Sequence, residues 1–145
     1  MKKLYAIFAL AIVAMGNAIY LTISAFNYAS GDKSSLFCDI NNTFSCSTLF
    51  SYDFATIFGL PFPAIAMIVY PILAILAIVG AIYKLKGLFK VILTISIMGI
   101  MFNSYIIYNE FQVMVFCPAC LFCTVIIITI AIMSYIGNKE EKRLK

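Results

Sequence analysis

Histidine is absent from this chain of 145 residues. Metal sites with imidazole ligands, histidine general bases and Ser-His-Asp triads are therefore excluded. Charged residues are scarce as well, at 11% of the sequence against about 25% in a typical soluble domain. No acidic or basic run is long enough to predict nucleic-acid binding, and no internal repeat or low-complexity linker divides the chain. We therefore expect a single domain over residues 1–145.

Apolar residues make up 64% of the sequence, against about 45–50% in soluble proteins. Crossing a bilayer takes about 20 apolar residues in a helix. Four stretches meet this length, over residues 4–26, 59–83, 91–108 and about 113–136. The first has a longer apolar core than a signal peptide and no small-residue cleavage site, so we interpret it as a retained helix. The sequence predicts an all-α integral membrane protein, a bundle of four transmembrane helices.

The basic residues predict how this bundle is oriented. Four spans place three basic clusters on one side of the membrane: Lys2 and Lys3; Lys84, Lys86 and Lys90; Lys139, Lys142, Arg143 and Lys145. The other side carries one basic residue, Lys33, with Asp32, Asp39, Asp53 and Glu110. Short cytoplasmic segments are enriched in Lys and Arg. We therefore expect both termini in the cytoplasm, and the loop over 27–58 and a turn over 109–112 on the extracytoplasmic side.

The long outer loop is rich in apolar residues, which favours a lid folded over the bundle rather than a solvated segment. Within it, residues 47–54 could form a short surface helix. The apolar residues concerned are Leu36, Phe37, Phe44, Leu49, Phe50, Phe54 and Ile57.

Four cysteines fall on the predicted extracytoplasmic side, where disulfides persist. Cys38 and Cys46 lie in the loop, and Cys117 and Cys120 form Cys-Pro-Ala-Cys at the outer end of the last span. Side chains three residues apart share one helix face, so the second pair can form a disulfide. Pro118 suits the first position of a helix. The helix start would then favour a thiolate on Cys117 and place Cys120 about 4.5 Å deeper along the axis.

Other interpretations of these cysteines remain open at this point. The loop pair alone could be a structural disulfide, and four thiolates could bind zinc. Cys120 and Cys123 share the same spacing, although Cys123 lies deeper and suits an inert core position. A soft-metal carrier or a scaffold with a structural disulfide are further alternatives. Two dithiols on one side of a small bundle favour a redox relay over these, and we assign no metal site.

The sequence resembles the vitamin K epoxide reductase family, in its microbial form, over nearly its whole length. The loop signature corresponds to Cys38-Asp-Ile-Asn-Asn-Thr-Phe-Ser-Cys46-Ser-Thr-Leu-Phe-Ser51. Phe54-Ala-Thr-Ile-Phe-Gly59-Leu-Pro61 is similar to the segment that leads into the family's second helix, and Cys117-Pro-Ala-Cys120 to its catalytic dithiol.

This resemblance implies a mechanism similar to that of DsbB. Microbial members oxidise a thioredoxin-like, DsbA-like partner and pass the electrons to a membrane quinone, while animal members reduce vitamin K epoxide. By this analogy Cys38 and Cys46 exchange with the partner, and one of them forms a transient disulfide with Cys117. Cys120 would lie beside the quinone, which could be menaquinone, ubiquinone or a vitamin K-like quinone. The partner is expected to be a separate protein, and the chain's remaining contacts to be with membrane lipid.

The sequence departs from the family pattern at two positions. A serine common after the second loop cysteine is replaced by Tyr52, with Ser51 beside it, and a tyrosine of vertebrate members is Thr124. Ser51 and Asn103 are therefore the only polar residues that we assign to quinone binding. Neutral polar residues within membrane spans more often tie helices together. The set in question is Asn17, Ser24, Ser96, Asn103 and Ser104.

Overall fold

The computed structural model describes residues 2–31 and 37–144. Its four long helices are each long and apolar enough to cross a membrane, which confirms the predicted all-α bundle. The elements follow in the order α1 (Lys2–Ala29), α2 (Cys46–Leu49), a 3₁₀ helix (Asp53–Ala55), β1 (Thr56–Ile57), β2 (Leu60–Pro61), α3 (Phe62–Tyr83), α4 (Leu88–Val113) and α5 (Pro118–Arg143).

Helices α1 and α3 pack closely along their length through small side chains. Ala11, Ala14 and Ala18 are buried on one face of α1, in the same cluster as Ala74 and Ala77 of α3. Small residues let helix backbones approach each other, which strengthens van der Waals packing where lipid supplies no hydrophobic driving force. Helix α4 packs mainly against α5 and touches α3 much less. The interface between α3 and α4 is therefore the loosest side of the bundle.

The outer turn between α4 and α5 lies later in the chain than predicted. Helix α4 continues to Val113, because Asn109 and Gln112 bond within it: Asn109 Nδ2 donates to the Tyr105 carbonyl and Gln112 Nε2 to the Tyr108 hydroxyl, both at 2.8 Å. Met114 then adopts a left-handed conformation and ends the helix. The turn predicted over 109–112 is therefore wrong, and so is a last span beginning at residue 113. The predicted helix start at Pro118 is confirmed.

The loop between α1 and α3 folds over the bundle as a lid, as predicted. Leu49 and Ala55 are buried in a cluster with Phe62 of α3 and Ile106 of α4. The predicted helix over 47–54 is replaced by two shorter pieces, α2 and the 3₁₀ helix. Phe37 is 94% exposed and takes no part in this cluster, and Leu36 lies outside the described residues.

Main-chain hydrogen bonds attach the lid to the turn before α5. The Phe116 N–H donates to the Thr43 carbonyl at 2.7 Å, and the Ser45 N–H donates to the Phe116 carbonyl at 3.1 Å. Phe44 and Phe116 thus form a parallel β-bridge. At the opposite end of the bundle, an ion pair joins Lys3 of α1 to Glu140 of α5. The start of α1 and the end of α5 therefore lie together, away from the lid.

Candidate functional site

Cys38 and Cys46 form a disulfide within the lid, with their Cα atoms 5.9 Å apart. Cys46 is the first residue of α2, and its neighbour Ser45 caps that helix by accepting from the Thr48 N–H at 3.2 Å. Asp39 extends this network, because one carboxylate oxygen accepts from the Ser45 hydroxyl at 2.9 Å and from the Ser47 N–H at 3.1 Å. Side chains of the lid therefore fix the position of the disulfide.

Cys117 lies at the N-cap of α5, directly before Pro118, and both it and Cys120 are free thiols. Cys120 lies on the first turn of α5 and is buried in the same cluster as Cys117 and both lid cysteines. The sulfur of Cys117 lies 3.0 Å from the sulfur of Cys46. Both of these cysteines are fully buried, at 0% exposure. The structure thus brings the loop pair and the helix pair into direct contact, sulfur to sulfur.

This contact allows thiol–disulfide exchange, in which a thiolate attacks one sulfur of a disulfide and displaces the other. Attack by Cys117 on Cys46 would form a Cys46–Cys117 bond and release Cys38. Attack by Cys120 on Cys117 would then free Cys46 and close the helix disulfide.

A sequence model of the vitamin K epoxide reductase family matches residues 5–135. The chain belongs to this family.

Membership of the vitamin K epoxide reductase family identifies the chain as an integral membrane thiol–disulfide oxidoreductase with cysteine pairs. No curated protein matches it.

Within the described ranges 2–31 and 37–144, no group of three or more His, Cys, Asp or Glu side chains is placed to hold a metal ion. Two of the four thiols needed for the zinc alternative are joined as the Cys38–Cys46 disulfide.

The two polar residues assigned to quinone binding lie in different places. Ser51 is exposed on the lid, and its hydroxyl donates to the Thr48 carbonyl at 2.6 Å. This hydrogen bond lies at the C-terminal end of α2. Asn103 is half-buried and lines a groove between α3 and α4. The structure therefore brings Asn103, but not Ser51, to a cavity within the membrane-spanning part of the bundle.

The expectation that Cys123 is an inert core residue overlooked its polar surroundings. It is buried, but Asn17 Nδ2 donates both to its sulfur and to the Ala119 carbonyl, each at 3.0 Å. The Tyr70 hydroxyl donates to the Cys123 carbonyl at 3.4 Å. Asn17 thus ties α1 to α5 just below the dithiol, as predicted for neutral polar residues in spans.

Sequence reasoning also missed Glu110, which it placed with the charges of the outer turn. The side chain is fully buried in the last turns of α4, and its Oε2 accepts from the Cys117 N–H at 3.5 Å. The available signal was a carboxyl group seven residues before the dithiol, on a segment whose other polar residues, Asn109 and Gln112, are uncharged. An ionisable residue within a membrane span is a functional candidate by default.

Proposed function

We propose that the chain is a quinone-linked enzyme that forms disulfides in exported proteins. A separate thioredoxin-like, DsbA-like protein would deliver electrons to Cys38 and Cys46, and a membrane quinone would take them from Cys117 and Cys120. The 3.0 Å contact between the sulfurs of Cys46 and Cys117 carries this proposal, because it joins the two pairs into one path.

In the productive direction the path starts with the loop pair reduced and the helix pair oxidised. The Cys46 thiolate attacks Cys117, and Cys120 leaves as a thiolate. Cys38 then attacks Cys46, which restores the loop disulfide and releases Cys117. Each step forms one sulfur–sulfur bond and breaks one, so the electron pair moves to the helix dithiol without an external reductant.

The groove between α3 and α4 fits a lipid-soluble quinone. Its volume is about 390 Å³, and its lining is apolar except for Tyr70 and Asn103. Phe102 lines the groove and also packs against the cluster that contains Cys120. A membrane quinone supplies the final acceptor for two electrons and two protons. An apolar groove with few polar groups suits such a molecule, and the loose contact between α3 and α4 gives it access from lipid.

The test is quinone reduction by the purified protein, followed by absorbance with a reduced thioredoxin-like donor. We expect Cys120→Ala to abolish turnover, because the helix disulfide can no longer form. Cys123→Ala, a matched change one turn deeper, should keep the rate within about twofold of wild type, because Cys123 is not in the path. Absence of quinone reduction by the wild-type protein with every donor and quinone tried would refute the proposal.

A further inference from the structure

Glu110 occupies a position in the bundle that stability alone does not explain. Its side chain is fully buried at the end of α4 that faces the cysteines. Oε2 has one long hydrogen bond, 3.5 Å from the Cys117 N–H. Oε1 is buried, and no residue within 2–31 or 37–144 hydrogen-bonds to it.

Three effects oppose a carboxylate at this place. Burial removes its hydration, the C-terminal end of a helix dipole repels negative charge, and no cation is described beside it. The titratable groups on this side are the thiols of the dithiol itself. Glu110 touches the main chain of Cys117, and Cys120 lies in the same buried cluster as Cys117 and Ile106, one helical turn before Glu110. The Cys46 sulfur in turn lies 3.0 Å from the Cys117 sulfur. The carboxyl group is thus placed where protons must leave and return during exchange.

We propose that Glu110 carries the proton of the helix dithiol, an inference that rests on the proposed function. Cys120 is buried and must lose its proton before it can attack. The Glu110 carboxylate takes this proton, and the Cys120 thiolate attacks Cys117 in the Cys46–Cys117 mixed disulfide. The Cys117–Cys120 bond forms, the Cys46–Cys117 bond breaks, and Cys46 leaves as a thiolate. In the opposite direction the Glu110 carboxyl group returns the proton to Cys120.

This arrangement keeps the charge of the site constant. When the proton moves from sulfur to carboxylate, the negative charge moves the other way, and no second charge appears in a medium of low dielectric constant. Creating a new buried charge is far more costly than moving one that is already there. The same proton has to leave Cys120 when a quinone is the electron acceptor, so the role extends to the last step of the path.

The first test compares Glu110→Gln with Glu110→Asp in stopped-flow oxidation of the fully reduced protein by a short-chain quinone. Glutamine can still accept from the Cys117 N–H but cannot carry a proton. We expect Glu110→Gln to slow the reaction about 10²-fold near pH 7. The deficit should shrink by up to about tenfold per pH unit as the thiol ionises unaided. Glu110→Asp should recover most of the rate, and Glu140→Gln, at the far end of the bundle, should match wild type. A Glu110→Gln rate equal to wild type, or equally reduced at every pH, would overturn the role.

A second measurement uses the wild-type protein and needs neither a variant nor a quinone. Infrared difference spectra are recorded between protein reduced with dithiothreitol and protein oxidised chemically, with and without ¹³C-labelled glutamate. We expect a label-sensitive carboxylic acid band that changes with the redox state of the dithiol. If this band is absent, Glu110 carries no proton. If it is present while wild-type protein reduces no quinone, the proton-carrying role stands and only the quinone-linked function fails.

Discussion

At the scale of single residues, the structure distinguishes two cysteines that the sequence leaves equivalent. Cys46, and not its disulfide partner Cys38, lies against Cys117. We therefore predict that a Cys38→Ser/Cys120→Ser variant, with Cys123→Ala to remove competition, forms an internal Cys46–Cys117 disulfide under mild oxidation. The matched Cys46→Ser/Cys120→Ser variant should form at least about tenfold less cross-link between Cys38 and Cys117. Peptide mass spectrometry of the non-reduced protein measures both, and equal yields would contradict the order of exchange.

The four outer cysteines could be predicted from spacing and topology, but their polar neighbours could not. Asn17 is far from Cys123 in the chain, and Glu110 is on a different helix from the dithiol. The rotation of each helix about its axis decides which side chains face the cysteines, and spacing along the sequence does not reveal that rotation. Glu110 was misplaced for a definite reason. A carboxyl group near the end of an apolar run favours a solvated turn, and the intrahelical bonds of Asn109 and Gln112 instead extend α4 past it.

At the scale of elements, the lid depends on the capping of α2. Ser45 accepts from the Thr48 N–H and donates to Asp39, so it fixes the first turn that carries Cys46. Loss of an N-cap side chain costs about 1 kcal/mol. We predict that Ser45→Ala raises the open population of the lid about fivefold, measured as faster alkylation of Cys117 by a maleimide.

Ser51→Ala is the matched control for this change, because Ser51 is an exposed serine of the same loop whose hydroxyl donates to the Thr48 carbonyl at the end of α2. Its alkylation rate should equal that of wild type. Equal acceleration by both variants would show that the cap of α2 does not hold the lid. The start of α5 was predictable because Pro118 fixes it locally, whereas the two-piece structure of the lid depends on contacts with Phe62 and Ile106 of other helices.

At the scale of the whole molecule, both described ends lie opposite the cysteines, and the distribution of basic residues predicts a side of the membrane for each. We predict that the lid faces the extracytoplasmic side. In a background with the native cysteines replaced, Asn42→Cys in the lid should react with an impermeant maleimide added to intact cells. Lys86→Cys, exposed between α3 and α4, should react only after the membrane is opened. The reverse pattern would invert the orientation.

The four spans were predictable from composition because hydrocarbon thickness sets the length of each apolar segment separately. The bridge between the lid and the turn before α5 was not, because it joins distant segments through atoms common to all residues. Since these hydrogen bonds use only main-chain groups of Thr43, Ser45 and Phe116, they place no requirement on the side chains at positions 43 and 116, whereas the Ser45 side chain separately caps α2. Proline is the exception, because at position 45 or 116 it would delete a donor N–H. A survey of natural variants should therefore find no proline at either position, varied side chains at position 116, and serine or another capping residue at position 45.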